Sequence, residues 1–536
     1  MPLCLLVEDG HWLDPSSQEL LALLIAGLAR RPLFVLCTAR PGFRHPWADY
    51  TYFHQVAIEP LAAEETKALL RDLLQPYDAS LALQAWLHER TGGNPFFVEE
   101  LVRTLQARGL LTVQGEVYEV TPAARVTLPD SIQGIVQTRL DRLPAAEKHL
   151  LQVAAVIGSE ASWLLLYALM DRAEDGLQHS LQYLQATEFL YETRSVPVPT
   201  YTFTHVLVQE AAYHGVLPEQ RRALHARIVE AIEQLSADHL EVEVERLAHH
   251  ALGGEVWDKA LAYCRQAGEK AMARSAYREA VGYFEQALGA LAHLPETRAT
   301  REQAIDLRLA LCIALRPLDD FRRILVVLRE AEALAMVLDD PHRLGQVSVA
   351  LALQLYRMGT HDQAIVSGQR ALALATAGGD IIMNALANQY LGFAYWAQGN
   401  YRWAIACFGQ TVASLDATQR RERFGQLFLP AVLSQALLAV CHAEQGTFPE
   451  GSVLGEEGCQ IAEAVGHPAT LMWAYYGLGL LSLRQGDLRR ALPLLERAVG
   501  VSQEADLPVY FPLTVAALGS AYTLCGRVVE AVPLLT

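Results

Sequence analysis

Apolar residues recur at helical spacing through the second half of the chain, and the breaks between the apolar stretches are themselves periodic. Gly359, Gly399, Gly446, Gly486 and Gly526 stand 40, 47, 40 and 40 residues apart, and each is followed five positions later by a small residue: Ala364, Ala404, Gly451, Ala491 and Ala531. A helical stretch precedes each glycine, as in Ala387–Gln398 or Trp473–Gln485, and another follows it, as in Ala404–Leu415. Each unit therefore reads as a helical hairpin, with the glycine ending the first helix in a left-handed turn and the small residue admitting the second helix to close packing. Asp339-Asp340-Pro341, Gly378-Gly379-Asp380, Gly466-His467-Pro468 and Asp506-Leu507-Pro508 supply turn and helix-stop residues between units. The seven extra residues of the longer interval fall at the charged segment Gln419–Arg423. Weaker units open at Ser275-Ala276-Tyr277-Arg278-Glu279-Ala280 and lie between Ile324 and Leu338, giving about seven in all.

The first 130 residues follow another pattern. Leu3–Val7 and Leu33–Thr38 are short apolar runs with a helical pattern, Pro15–Ala29, between them, which predicts a βαβ unit with parallel strands. From about Leu128 to Leu235 the pattern turns mostly helical, with a two-stranded wing expected where Phe189–Thr193 and Thr200–Thr204 flank Val196-Pro197-Val198-Pro199. The segments Gly399-Asn400-Tyr401-Arg402-Trp403-Ala404 and Gly486-Asp487-Leu488-Arg489-Arg490-Ala491 resemble tetratricopeptide-type repeats in an elongated form. That resemblance implies an α-solenoid whose concave face binds a protein or small ligand. Trp396, Tyr401 and Trp403 are read as inter-helix core rather than ligand contacts.

Composition narrows the function classes. With 43 Lys plus Arg against 60 Asp plus Glu, the net charge of −17 opposes binding to a phosphate backbone, so no nucleic-acid partner is expected. Ala211–Leu217, where a recognition helix would lie, carries no Lys or Arg. Eight cysteines without a Cys-x-x-Cys pair or a zinc-like histidine spacing suit a reducing compartment, and a cytoplasmic location is expected. The apolar stretch Leu20–Ala29 falls short of the roughly 20 residues a bilayer span needs, so no membrane partner is expected.

Candidate chemistry sits at the end of the first strand. Leu5-Leu6-Val7-Glu8-Asp9 places two carboxylates at the carboxyl edge of a parallel sheet, where such folds bind ligands and where the pair could hold a Mg²⁺-bound water. The longer segment Glu8-Asp9-Gly10-His11-Trp12-Leu13-Asp14-Pro15-Ser16-Ser17 closely resembles the Walker B segment of STAND-class signal-transduction ATPases. Thr38-Ala39-Arg40-Pro41 looks like that family's sensor 1, and Thr91-Gly92-Gly93-Asn94-Pro95-Phe96-Phe97-Val98-Glu99-Glu100-Leu101 like its Gly-x-Pro motif. His205, in Tyr201-Thr202-Phe203-Thr204-His205, corresponds to the histidine of its winged helix. The resemblance implies Glu8 and Asp9 as catalytic and metal-binding residues, Arg40, Pro95 and His205 as nucleotide contacts, and ATP/ADP with Mg as cofactors of an intact parent. Read without it, His205 is a structural histidine, Arg40 a loop arginine, and Pro95 a helix N1 residue behind the Asn94 cap.

The expected fold is mostly α, with a partial α/β nucleotide-domain remnant over 1–127, a helical and winged-helix-like region over 128–240 and a tetratricopeptide-like array over 241–536. The chain carries no Gly-Lys dipeptide, hence no Gly-x-x-x-x-Gly-Lys-[Ser/Thr] phosphate loop, and only Met1 and Pro2 precede the first strand. Both ends read as interruptions: an upstream sheet edge is expected to be left unpaired, and the apolar end Ala531–Leu535 lacks a polar cap. The leading expectation is thus a regulatory or sensor fragment of a bacterial signalling ATPase; the resemblance extends to large regulators whose N-terminal portion is an adenylate or guanylate cyclase, and implies a parent open to oligomerisation. A stand-alone repeat scaffold and a transcription regulator are the alternatives. No cofactor and no catalysis are expected of the chain as it stands, since phosphoryl transfer depends on positioning the phosphates. Phosphate release from Mg·ATP by the purified chain should not exceed background; turnover that needs the metal and vanishes in Asp9→Asn would overturn this expectation.

Overall fold

The computed structural model describes residues 3–28, 32–40, 42–43, 46–121, 131–170, 173–194 and 198–535. Pro41, Ala29, Val196, Pro197 and the expected 127/128 boundary lie outside them. The chain separates into two compact units, Met1–Leu294 and Pro295–Thr536.

The expected βαβ start of the first unit is present. β1 (Leu3–Val7) and β2 (Leu33–Cys37) pair in parallel from Leu3↔Leu33 to Val7↔Cys37. The helix between them, Pro15–Ala26, starts at Asp14, whose carboxylate accepts hydrogen bonds from the Ser17 N–H and hydroxyl at 2.9 and 2.6 Å. Leu21 and Ile25 of this helix pack with Trp47, against which Leu5, Val7 and Val35 are half-buried. Among the described residues β1 has no second neighbour, and Leu6, Phe34 and Leu36 stay exposed.

Two small sheets follow. β3 (Asp78–Ala79), β4 (Leu111–Gln114) and β5 (Val117–Val120) form one in the order β3-β5-β4, which the sequence reading did not identify. Its hairpin was legible in Leu-Thr-Val-Gln-Gly-Glu-Val-Tyr-Glu-Val, where a glycine divides two strand-forming runs. The wing, β7 (Leu190–Arg194) with β8 (Thr200–Phe203), falls where expected and is joined by a three-residue β6 (Glu160–Ser162), too short to leave a periodic signal.

Helical hairpins fill the rest of the chain, so the fold is a mostly α tetratricopeptide-like repeat protein with a few small sheets. Among the described residues seven can be traced: Trp257–Ala273 with Tyr277–Leu291 in the first unit, then Arg298–Leu315 with Phe321–Leu338, Pro341–Arg357 with His361–Gly378, Ile381–Ala397 with Tyr401–Ser414, Pro430–Gln445 with Phe448–Val465, Pro468–Gln485 with Leu488–Glu504, and Phe511–Leu524 with Val528–Leu535. The repeat glycines hold φ between 72° and 86°, and the small residues five positions on are buried, Ala364, Ala404 and Ala491 completely. Left-handed residues also sit between hairpins. Asp319, Asp339, Gly359, Gly379 and Gly399 follow one another every 20 residues, as do Gly446, Gly466, Gly486, Asp506 and Gly526, and as Ser275 follows Glu255. Aspartate tolerates this conformation better than most residues, so the true half-period of 20 is masked in a search for glycine alone. The long interval contains the short 3₁₀ turn Gln419–Arg421, at the segment expected to hold the extra residues.

A second regularity concerns volume. Seven positions before the left-handed turn residue and nine after it, the two helices of a hairpin face one another, and in four hairpins a glycine at the first position faces a large residue at the second. A Cβ on Gly268 would lie 2.6 Å from Phe284 Cε1, one on Gly392 2.5 Å from Phe408 Cε1, one on Gly479 2.9 Å from Leu495 Cδ2, and one on Gly519 2.7 Å from Leu535 Cδ2. In two hairpins the glycine stands on the second helix instead, at Gly368 and Gly455, facing Ala352 and Ala439. There Leu391 and Leu478 of the next hairpin fill the space, 2.7 and 2.9 Å from where a Cβ would be.

Gly392→Ala tests this exchange. Helix propensity alone favours the alanine by up to about 1 kcal/mol, whereas overpacking a fixed ring costs about 1–3 kcal/mol. The variant should melt below the parent, and Phe408→Leu in that background should cost less than it does alone, with a coupling of roughly 0.5 kcal/mol or more. Additive losses in thermal unfolding would show that the two positions do not share one space.

Candidate functional site

The first unit gathers most of the motif residues. Glu8 and Asp9 are exposed at the end of β1, with Asp9 left-handed at φ 51° and ψ 48°. The Asp9 N–H donates to Thr38 Oγ1 at 2.9 Å and the Gly10 N–H to the Thr38 carbonyl at 2.7 Å, locking this turn onto the end of β2. Gly10 is required by close approach, since a Cβ would lie 2.5 Å from Cys37 Sγ. The Arg40 N–H donates to His11 Nδ1 at 3.4 Å, and its guanidinium stands 5.9 Å from the Trp12 ring centroid. The two motifs read separately along the sequence thus share one edge of the sheet.

Pro95 opens the helix Pro95–Ala107 as its N1 residue, and Asn94 Oδ1 accepts the Phe97 N–H at 3.0 Å. Its neighbour Phe96 makes the contact to the wing, stacking on the His205 ring at 3.8 Å and 9°. His205 caps the following helix, Val206–His214, its Nδ1 accepting the Leu207 N–H at 3.1 Å. Burial lowers the His205 pKa; the charges of Glu100, Glu210 and Asp9 oppose the shift and Arg40 adds to it. His205, Asp9 and Arg40 are therefore within electrostatic reach of one another.

Sequence reasoning quoted Glu100 only as part of a motif, yet it anchors this region. Its carboxylate is buried, with Oε1 accepting from Arg139 Nη1 at 2.6 Å and Arg103 Nη1 3.6 Å away. Arg139 also donates to the Thr187 carbonyl and lies 4.2 Å over the Phe189 ring, joining the helix Ile132–Leu140 to the base of the wing. Glu100 Oε2 has no partner among the described residues.

The backbone donors beside the acidic pair, Asp9 N–H and Gly10 N–H, are already bonded to Thr38, so neither is free to bind a phosphate oxygen.

The second unit carries a different cluster. Phe428, Trp473 and Tyr510 form a triangle with ring centroids 5.4, 5.7 and 6.2 Å apart, and Tyr476 meets Trp473 edge-on at 5.6 Å. Burial raises the Tyr510 pKa, with the charges of Arg357 and Arg316 opposing it; burial pushes Tyr390 up to about 12, with Arg316 again opposing. Arg357 stacks over Phe321 at 4.6 Å, and burial and then the Arg316 charge lower its pKa. Two arginines from the ends of Arg298–Leu315 and Pro341–Arg357 thus converge with aromatic residues as far along the chain as Tyr510. Some arginines of this unit face carboxylates within 3.0 Å, as Arg343 does Asp306 and Arg490 does Glu456; among the described residues Arg316 and Arg357 have no such ion pair, though the Asp319 charge reaches Arg357. The Trp473 Nε1–H is buried without an acceptor. Of the aromatics read from sequence as core, Trp396 and Tyr401 pack against the core of this unit, whereas Trp403 is 57 % exposed and stacks only on Tyr395, at 6.1 Å.

No helix among the described residues is long and apolar enough to cross a membrane.

Residues 62–118 match a family described as a domain of unknown function (DUF8739). An uncharacterized protein of Rhizobium meliloti (strain 1021) is 29 % identical over 322 residues, which are 59 % of this chain and 30 % of that protein. The chain thus spans under a third of the length of this curated relative. Among solved structures, a signal transduction ATPase with numerous domains and a tetratricopeptide repeat sensor from Pyrococcus horikoshii aligns with 98 % of this chain and 78 % of its own, at 14 % identity and a TM-score of 0.38. The Rap conjugation gene regulator of plasmid pLS20, in complex with the Phr* peptide, aligns with 59 % of this chain and 88 % of its own, at 16 % identity and TM-score 0.41. The apo quorum sensor NprR from B. thuringiensis aligns with 69 % and 94 %, at 15 % identity and TM-score 0.43.

Arg139→Met should leave the buried Glu100 carboxylate with only the longer Arg103 ion pair, a loss of up to about 3–5 kcal/mol, while Glu100→Leu with Arg139→Met should recover most of it. Chemical denaturation of the three proteins checks this; a double variant as unstable as the single one would show that the arginine acts through its Phe189 and Thr187 contacts instead.

Proposed function

We propose that this chain is a regulatory interaction scaffold whose second unit binds a peptide or protein segment presenting a carboxylate beside apolar or aromatic side chains. The observation that carries this reading is the reach of the Arg316 and Arg357 charges, which have no ion pair among the described residues, to Tyr510, whose ring packs with Phe428 and Trp473. A guanidinium recognises a carboxylate in bidentate fashion, and an aromatic wall supplies the apolar anchor that peptide grooves use. The unpaired Trp473 N–H adds a donor for a ligand carbonyl. We also propose that the first unit descends from the switch module of a STAND-type signalling ATPase, supported by the grouping of Asp9, Arg40 and His205. Nucleotide hydrolysis is no part of the proposal for this chain, because its backbone donors beside Asp9 are already used.

Selection of a displayed random-peptide library on the purified chain tests the repeat surface. Enriched peptides should carry Asp, Glu or a free C-terminus next to an aromatic residue, and Arg316→Glu with Arg357→Glu should weaken them at least about tenfold, or 1.4 kcal/mol. No enrichment, or equal binding by the variant, would refute the assignment.

A further inference from the structure

Within the first unit, the helices Pro218–Leu235 and Leu240–Gly253 bring three histidines together. His225 and His250 are buried, 2 % and 1 % exposed, and His249 is exposed at the rim. One ring nitrogen of each lies within 4.8 Å of the other two. The His225 and His250 Nδ1 atoms are 2.8 Å apart, and the ring centroids of the three are separated by 5.1, 5.8 and 5.1 Å. The chain makes room for the two buried imidazoles: a Cβ on Gly253 would lie 2.9 Å from the His225 ring.

The surroundings prepare these rings as ligands. The Ile157 carbonyl faces the His250 ring and favours a proton on it, and the ring's Nδ1 faces His225 Nδ1 at 2.8 Å. A histidine that donates one N–H to a backbone carbonyl and presents the other nitrogen is the usual arrangement around a bound metal. Tyr213 Oη stands 3.4 Å from His225 Nε2 and can accept the proton when His225 presents Nδ1. The nearby cations are engaged elsewhere: Arg246 pairs with Glu243 at 2.8 Å and Arg221 lies 4.6 Å over the Tyr213 ring.

We propose that His225, His249 and His250 form a three-imidazole site for a transition-metal dication of the zinc class, clasping the two helices, with water as fourth ligand on the exposed side of His249. Imidazole nitrogens suit zinc, copper and nickel and disfavour magnesium and calcium. Zinc–nitrogen bonds of about 2.0–2.1 Å in tetrahedral array put ligand nitrogens about 3.3 Å apart, so the His225–His250 gap of 2.8 Å opens by about half an ångström while the rim residue His249, within 4.8 Å, adjusts its side chain. The proton shared between the two Nδ1 atoms moves to His225 Nε2, and no net charge leaves the protein.

The test uses Co²⁺ and Zn²⁺ with the full chain stripped by chelator. About one equivalent of Co²⁺ should give the strong visible absorption of a four-coordinate centre, and Zn²⁺ should displace it. His249→Gln alters a rim residue and should leave the apo protein folded by circular dichroism, while affinity falls by more than the roughly 10- to 100-fold typical of a lost supporting contact. His239→Gln, at an exposed histidine on the same hairpin, should change nothing. A weak six-coordinate spectrum, or His249→Gln binding as tightly as the parent, would mean that the histidines are a paired-imidazole core and no metal site.

Discussion

In six of the seven hairpins traced among the described residues, a glycine makes the room that a large side chain on a facing helix fills. Two helices joined by a short left-handed turn must lie side by side, and their contact distance is set by the largest pair of side chains between them. Phe284 and Phe408 enter only because Gly268 and Gly392 vacate the opposite helix; Gly368 and Gly455 reverse the arrangement and draw Leu391 and Leu478 across from the next hairpin. The reversal ties successive hairpins together, because the cavity in one is filled by a side chain of the following one. Interfaces of this nearest-neighbour kind are what hold a solenoid together, each unit being too small to bury a core alone.

The first unit is organised by polar groups instead. The small parallel pair β1–β2 buries only one face, so the position of its acidic edge is fixed by hydrogen bonds from Asp9 and Gly10 to Thr38 rather than by a filled core. Farther along, the buried Glu100 carboxylate holds Arg139, which in turn holds the base of the wing. A buried pair of this kind contributes little net stability but penalises any arrangement that separates it, and the Phe96–His205 stack forms beside it.

Charge is deployed differently in the second unit. Arg316 and Arg357 have no ion pair among the described residues and stand near aromatic rings in a chain that is acidic overall. Such a surface favours an anionic, apolar segment and repels a phosphate backbone less than the rest of the protein does, though two cations give little of the counterion release on which nucleic-acid binding relies. The chemistry thus points to peptide recognition.

The sequence by itself determined the repeat architecture, the hairpin turns, the first parallel strand pair and the wing, because each rests on local rules: helical period, left-handed glycine, apolar strands and turn residues. It placed the long interval's extra residues and the Asn94–Pro95 helix start for the same reason. The aspartates that share the 20-residue turn period stayed hidden, since their side chains permit the left-handed conformation without announcing it. What only the tertiary structure decided are the meetings of distant residues. Gly392 and Phe408 are 16 positions apart, His225 and His250 are 25, and Arg316 and Tyr510 nearly 200, and nothing in their immediate neighbours marks them as partners. Local sequence sets which way a backbone turns; which side chains then share a space is fixed by how the helices pack, and packing is a property of the whole chain.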